Sequence, residues 1–507
     1  MDKTYLFGID VGTQGTKAAL FDHRGRTLAT AFRKSDLHQG APGVVEEDPE
    51  RQFKSVCQCI RACAAEAGID PAQVAGVGID GQMAGILGVG ADGRHVTPYD
   101  SWLDTRCAPY IAMMKSEAGG EVIRKTGGPP SFNHGPKILW WKHERPDVFA
   151  QIAAFVQPGG YAVMRLCGLD ASQAFIDKSY LHFSGFADNQ RGQWDTGLCG
   201  TFGVPVSKLP RIVDCQTVVG QITPDAARRC GLRAGTPVVA GLGDTAASFL
   251  ACGATREGIC VDVAGTASVF ASTTRQFKAD TAHGVLGWGQ SATPGLWHPY
   301  AYINGGGMNL EWFVRELASL GKKPTAGTLD HLNRLAARIV PALDDPVFVP
   351  HLGGRVTPSR PLLRGSWAGL NWSHTAAHLY RAALEGVALE YCVYRDVLRE
   401  LNPDLKMREL RITGGGEKSA VWNQTKADAL GMTVVQINRP EGAPLGAALL
   451  AGCGVGLFRN LDSAADQWIQ TGHVVRPDRK QAAHYEARLV RYRRLLEMLQ
   501  EWSEPET

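Results

Sequence analysis

Apolar residues alternate with small or polar ones through Tyr5–Val11 and again through Thr16–Asp22, and Gly12 and Gly15 mark the break between the two runs. A period of two interrupted by glycine predicts strand, tight turn, strand, with Gly12 and Gly15 free to take positive φ where the chain reverses. From Pro49 to about Gly68 the period changes. Phe53, Val56, Cys57, Ile60 and Cys63 follow helical spacing, which puts Cys57 and Cys63 on a buried stripe and turns Cys59 elsewhere. Val74–Asp80 then reads as a buried strand, and Pro237–Asp244 as another that ends in a Gly-Asp turn. Strands alternating with helices predict an α/β protein with a largely parallel, helix-covered sheet.

The second half repeats this rhythm. Gly258–Phe270 has the order of the first hairpin: strand, Asp-Val, Gly-Thr, small residues, strand. The echo fits two copies of one unit facing each other. A boundary near Ala251–Arg256 divides the chain into 1–252 and 253–507. A long helix is expected over Ser373–Leu398, a strand over Leu410–Thr413, and a C-terminal amphipathic helix with Tyr485, Leu489, Tyr492, Leu496 and Leu499 on one face. The many arginines of that helix are expected on its solvated face.

Composition narrows the class. At 507 residues the chain is too long for one ordinary core, so two large domains are expected. A net charge of +3 argues against nucleic acid or a membrane surface as the main partner. Gly8 and Asp10 interrupt the first apolar run, which argues against a signal peptide, and no uncharged stretch approaches a membrane span. The 12 cysteines have no framework spacing, which points to core cysteines and a reducing, cytoplasmic setting.

Candidate chemistry gathers at Gly-rich or acidic turns: Asp10–Lys17, Leu242–Asp244, Ala264–Ser268 and Thr413–Glu417, with a further run at Asn304–Gly307. Turns at the carboxyl ends of parallel strands are where open α/β sheets hold ligands. The first turn offers backbone N–H groups and Lys17 to an anion, whereas Asp10 would repel bare phosphate and suggests a bridging cation. An ordinary soluble hairpin accounts for the same residues. Neither a P-loop ending in Gly-Lys-Ser/Thr nor a GxGxxG after the first strand is present. Asp244 ends an apolar strand where a charge has no packing purpose, which marks it as a candidate base; capping the next helix is the alternative.

Gly365-Ser366-Trp367-Ala368-Gly369-Leu370 followed by His378–Glu385 resembles the second signature of the FGGY carbohydrate kinase family. The Gly8–Thr13 turn, Gly81–Met83, Trp102-x-Asp104-x-Arg106, Gly243-Asp244, Gly265-Thr266, Gly414–Gly416 and Glu441–Gly446 fit the same family in its order. Within the family the pattern is most similar to xylulokinases. The first signature, around Lys137, fits poorly: His134 stands where a small hydroxyl residue or proline is usual, and Trp141 replaces an aliphatic residue. Xylulokinases also carry a sugar-contacting histidine after Gly-Gln-Met, where this chain has Ala84.

The resemblance implies a two-lobed, actin-like (ribonuclease H-like) ATPase fold with a cleft between duplicated domains. Residues 1–252 would hold the sugar and 253–507 the nucleotide. It implies ATP and Mg²⁺, and transfer of the γ-phosphate to a primary hydroxyl of a small sugar, D-xylulose giving D-xylulose 5-phosphate. Asp244 would accept the hydroxyl proton and Asp10 would hold Mg²⁺ through water. Thr13, Gln14 and Lys17 would line the γ-phosphate, Gly265 and Thr266 would meet the phosphates from the other lobe, Gly307 and Glu311 would face the nucleotide, and Gly415 and Gly416 would leave room for adenosine beside Ser419. Gln82, Met83, Trp102, Asp104 and Asn133 are the sugar-pocket candidates. Trp102 could instead pack in the core, and Asp104 could pair with Arg106. Another ketose, a polyol or a sugar acid (ribulose, fuculose, erythritol, gluconate) is the alternative substrate; Gln82-Met83 argues against glycerol. A non-catalytic binding switch of the same fold is the alternative class, against which Asp244 and the lack of a basic helix-turn-helix before Asp10 both count. Homodimers are common among similar enzymes.

Overall fold

The computed structural model describes residues 4–323, 327–438 and 441–503. Strands β1 (Tyr5–Val11) and β2 (Gly15–Asp22) form the expected antiparallel hairpin, β3 (Thr27–Lys34) extends it, and β4 (Val74–Gly81) joins β1 in parallel. With β5 (Val218–Gln221), β6 (Pro237–Val239) and β7 (Leu242–Gly243) they make one sheet in the order β5-β6-β4-β1-β2-β3, and β7 pairs with β4 beyond the end of β6. Neither Gly12 nor Gly15 takes the expected positive φ. Gly15 is needed for space instead: a Cβ there would lie 2.3 Å from the Arg33 carbonyl oxygen and 2.4 Å from the Phe32 ring.

A second sheet repeats the plan. It contains β8 (Ile259–Ala264), β9 (Ser268–Ser272), β10 (Gly287–Gln290), β11 (Trp297–Ile303), β12 (Glu409–Thr413), β13 (Thr433–Asn438) and β14 (Gln470–Val475), in the order β10-β11-β9-β8-β12-β13-β14. In both sheets the central strand, β1 or β8, has its own hairpin partner on one side and a parallel strand, β4 or β12, on the other. The weak sequence echo is therefore a repeat of topology.

Helix α1 (Pro49–Ala67) covers one face of the first sheet, and its core joins Phe53, Val56 and Ile60 to Phe7, Ile9 and Val11. Asp48 caps it by accepting the N–H groups of Glu50 and Arg51. Cys59 does not turn away as its spacing suggested. It is fully buried, with Sγ 3.4 Å from the Thr16 carbonyl oxygen, because β2 closes over that side of the helix.

The other face of the first sheet is covered from the far end of the chain. Helix Ala443–Gly454 lies directly on β1 and β4, which contribute Gly8 and Gly78 side by side. A Cβ on Gly8 would lie 1.7 Å from the Pro444 carbonyl oxygen, and one on Gly78 would lie 2.1 Å from that of Ala447. Glycine is required here for close backbone approach rather than for an unusual φ.

The long helix runs over Ala376–Leu401 rather than from Ser373. Thr375 and His378 cap its start reciprocally, which fixes the first turn at Ala376. In the C-terminal helix, Ala482–Ser503, Tyr485, Leu489, Tyr492 and Leu496 are buried as expected, with Leu499 packed at the edge of the core. Arg488 breaks the expectation of a solvated arginine face. It is 1% exposed, donates to the Asp345 and Pro346 carbonyls at 2.6 and 2.8 Å, and pairs with Glu385 at 2.7 Å. No helix among the described residues is long and apolar enough to cross a membrane.

Candidate active site

Three carboxylates meet at neighbouring strand ends of the first sheet. Asp10 on β1 stands in register with Asp80 on β4, and Asp80 with Leu242 on β7, two residues before Asp244. The strand expected over Pro237–Asp244 breaks at Gly241, whose φ of +92° lets the chain pass close to the Ile79 carbonyl oxygen. Asp244 consequently opens a helix, Asp244–Ala251, with Gly243 as its cap, and accepts the Thr245 hydroxyl at 3.1 Å.

This crowding raises proton affinity. Burial pushes the Asp10 carboxyl up to about 6 against the opposing pull of a hydrogen bond with Asp80 and the charge of Lys17. Burial and the nearby charge of Asp10 push Asp244 up to about 7. Asp10 Oδ1 is buried with no hydrogen-bond partner among the described residues. A buried, unpartnered carboxylate oxygen is a donor of the kind a hard divalent cation takes, so Asp10 fits Mg²⁺. The position of Asp80 beside Asp10 was not foreseen. Its signal was the shared Ile-Asp at two strand ends, Ile9-Asp10 and Ile79-Asp80.

Beside these carboxylates, a chain of side-chain hydrogen bonds leads from Glu47 to the protein surface. Trp102 Nε1 donates to Thr13 Oγ1 at 2.8 Å, Thr13 donates to Gln82 Oε1 at 3.2 Å, and Gln82 Nε2 donates to Glu47 Oε1 at 3.2 Å. Gln82 is fully buried, whereas Trp102 is 41% exposed, which an anchored core tryptophan would not be. Met83 packs on Gly243 so closely that a Cβ there would lie 1.7 Å from its Sδ. Gln82, Met83, Thr13, Trp102 and Asp244 are thus brought together.

Asp104 is engaged differently. Its carboxylate accepts the Val45 N–H at 2.9 Å and Arg106 Nε at 2.9 Å, while Arg106 also pairs with Glu46 and Asp100 at 2.7 and 2.9 Å. Glu46, Asp100 and Asp104 have the proximity of a metal cluster, but the guanidinium occupies their centre. Lys137, buried, holds the same loop by donating to the Ser101 and Asp104 carbonyls, both at 2.9 Å. The loop that carries Trp102 is therefore clamped from both sides.

Asn133 precedes helix His134–Glu144; its Nδ2 donates to Pro129 O at 3.3 Å, and its Oδ1 is buried without a partner among the described residues. His134 lies next to it. Burial pushes its imidazole down to about 4, so the neutral ring donates from Nε2 to the Met83 carbonyl at 2.7 Å. An imidazole does reach the Gln82-Met83-Ala84 turn, but from position 134 and onto the backbone.

At the hairpin tip Gln14 is exposed, and Lys17 pairs with Glu441. On the second sheet, the turn with Gly265 and Thr266 rests on Gly307, whose N–H donates to the Gly265 carbonyl at 3.0 Å; Thr266 and Glu311 are exposed. A Cβ on Gly415 would meet nothing within 4 Å, whereas one on Gly416 would strike Trp422 at 2.6 Å. Ser419 accepts the Trp422 N–H and donates to Asn333 Oδ1 at 2.9 Å, which also accepts the Tyr380 hydroxyl at 3.0 Å. Asn333 was not foreseen, because a polar residue on a surface helix carries no local signal.

Residues 5–251 match the N-terminal domain, and residues 260–455 the C-terminal domain, of the FGGY family of carbohydrate kinases. The chain is 26% identical over 490 residues to a xylulose kinase of Bacillus subtilis, covering 95% of this chain and 94% of that one. It is 26% identical over 471 residues to a gluconokinase of the same organism, covering 91% and 90%. The crystal structure of a xylulose kinase from Rhodospirillum rubrum superimposes with a TM-score of 0.90 at 27% identity, over 98% of this chain and 99% of that one. The duplicated sheets are the two lobes of the actin-like ATPase fold. With both domains matched in order, the chain belongs to the FGGY family of carbohydrate kinases and is a phosphotransferase.

Proposed function

We propose that the protein transfers the γ-phosphate of ATP to a primary hydroxyl of D-xylulose. The observation that carries the reading is Asp244 at the strand end, directly after Gly243, on which Met83 of the Gln82-Met83 turn packs. Asp244 takes the hydroxyl proton as the oxygen attacks phosphorus. Phosphoryl transfer is loose, so orienting the hydroxyl matters more than strong basicity. Trp102 offers its exposed ring face to the sugar and Asn133 Oδ1 offers a buried acceptor, while Gln82 holds Thr13 in place between Trp102 and Glu47. Gly265, Thr266, Gly307, Gly415, Gly416 and Ser419 form the nucleotide side, with Asn333 behind Ser419. Asp10, with Asp80 beside it, would hold Mg²⁺, which when bound offsets phosphate charge.

Ala84 favours a second reading, a kinase for another ketose or a sugar acid. It supplies no hydrogen-bonding group to the pocket, and His134 is committed to the Met83 carbonyl. Coupled ADP release with Mg²⁺-ATP, across ketopentoses, polyols and sugar acids, separates the two. Turnover of D-xylulose above the rest, lost in Asp244→Ala, supports the first reading. Preference for another compound replaces the sugar and keeps the mechanism.

A further inference from the structure

The two lobes meet along a bonded seam beside Asp244. Trp288 N–H, on β10 of the second sheet, donates to the Gly127 carbonyl at 2.8 Å. Asn189 Nδ2 donates to the Trp288 carbonyl at 3.0 Å, and Gln290 Nε2 returns a bond to the Asn189 carbonyl at 2.6 Å. Asn189 and Trp288 are fully buried, and Gln290 lies at the partly exposed rim.

Within it, His182 of the first lobe meets Tyr300 of β11, with Nε2 and the hydroxyl 2.7 Å apart. Burial pushes the imidazole down to about 3 and the phenol well above its usual range, so both are neutral. The hydrogen bond between them therefore joins two neutral groups, the phenol and Nε2. Ser179 belongs to the same turn, Lys178–Phe183. Its Oγ accepts the Gly243 N–H at 2.9 Å and donates to Asp177 Oδ1 at 2.5 Å. Tyr180, from this turn too, donates to the Gly81 carbonyl at 2.9 Å. One short turn therefore grips the second lobe through His182 and the residue immediately before Asp244 through Ser179.

A two-lobed kinase has a geometric problem that this arrangement answers. The proton acceptor stands on one lobe and the phosphates are held from the other, yet their separation must be kept to a fraction of an ångström. We propose that Tyr300 and His182 are positioning residues, which register Asp244 against the second lobe through the Ser179–Gly243 hydrogen bond. The inference rests on Asp244 as the proton acceptor, and it holds whichever sugar is the substrate. Removing the phenol oxygen leaves a buried imidazole nitrogen unbonded and frees the turn.

The test uses the full-length enzyme with the sugar that the wild type turns over best. Tyr300→Phe is expected to lower kcat about tenfold with both KM values held within about twofold. His182→Gln, which keeps an acceptor near the Nε2 position, is expected to retain most of the activity, and His182→Leu to match Tyr300→Phe. The double variant Tyr300→Phe/His182→Leu is expected to be no worse than either single one, because both remove one bond. Unchanged kcat in Tyr300→Phe, a loss carried by KM, or losses that multiply in the double variant would overturn the inference, as would His182→Gln falling as far as His182→Leu. If Tyr300→Phe melts below the assay temperature, Ser179→Ala decides the matter by the same loss in kcat or its absence. Asp244→Asn is run beside them. Full activity there sinks the reading of Asp244 itself, and a kcat loss in Tyr300→Phe would then no longer support registration of that residue.

Discussion

Lys17 Nζ lies 2.8 Å from Glu441 Oε2 and donates to the Glu441 carbonyl at 3.3 Å, joining the first hairpin to the loop before helix Ala443–Gly454. The lysine stands opposite Asp10 in the β1–β2 register. A residue proposed to meet the γ-phosphate is thus held in place from the far end of the chain, by the same segment that covers the first sheet.

That pairing separates a structural effect from a catalytic one. The lysine side chain is 34% exposed, so Glu441→Gln should change stability by no more than about 1 kcal/mol. Lys17→Met should lower kcat/KM for ATP roughly tenfold or more while leaving the sugar KM near its original value. Initial rates against each substrate, with urea melts of both variants, check the pair. An unchanged ATP dependence in Lys17→Met removes the phosphate role.

Asp244→Asn keeps the shape of the strand end and the Thr245 hydrogen bond but cannot take a proton. A loss of about 10²–10⁴ in kcat, with both KM values little changed, is expected. Steady-state rates measured beside the wild type are sufficient, and a loss of less than about tenfold would assign the proton elsewhere.

The glycine pair under helix Ala443–Gly454 predicts a large effect from a small change. Gly8→Ala or Gly78→Ala puts a methyl group into a backbone carbonyl and should cost about 1–3 kcal/mol or more. Gly120→Ala is the control. Its Cβ meets nothing within 4 Å in the turn that follows the break at Ala118 in helix Ala108–Thr126, so it should be neutral or stabilise by about 0.5–1 kcal/mol. Denaturant unfolding of the three variants gives the comparison, and equal stabilities would remove close approach as the reason for glycine in these strands.

Asp177 predicts a pH dependence of stability. Burial pushes its carboxyl up to about 7 despite the hydrogen bonds from Ser179. The folded state binds the proton more tightly than the unfolded chain, whose aspartates titrate near 4. Its contribution is therefore fully present below about pH 4 and is lost as pH rises through about 7. Asp177→Asn should flatten the fall in melting temperature between about pH 5 and 8, and should raise the melting temperature at the alkaline end by a few degrees. Parallel pH profiles for variant and wild type would contradict this.

Much of the fold and of the site was legible because it rests on local pattern. Alternation with glycine at the break specified both hairpins, and helical spacing specified α1 and the C-terminal helix, since side-chain period is a property of neighbouring residues. The motif turns located Asp10, Gln82, Asp244, Gly265 and Gly415 at strand ends without any knowledge of contacts.

What tertiary structure alone decided is which of these groups face one another. Asp262 shows the reason. It precedes Val263-Ala264-Gly265-Thr266, where Asp10 precedes Val11-Gly12-Thr13, so one extra residue separates it from the Gly-Thr pair. Successive strand residues point to opposite faces, and Asp262 is buried against Lys426 and the Tyr391 hydroxyl instead of joining the cleft. Asp80 came to stand beside Asp10 only because β4 lies parallel to β1 in step. Cys59 and Arg488 were buried by β2 and by Glu385, and His134 was turned onto the Met83 carbonyl, each by a partner distant in sequence. The residues and their local period determined the elements and the candidate chemistry. Long-range packing chose the partners, because register and burial depend on chain segments that no local window contains.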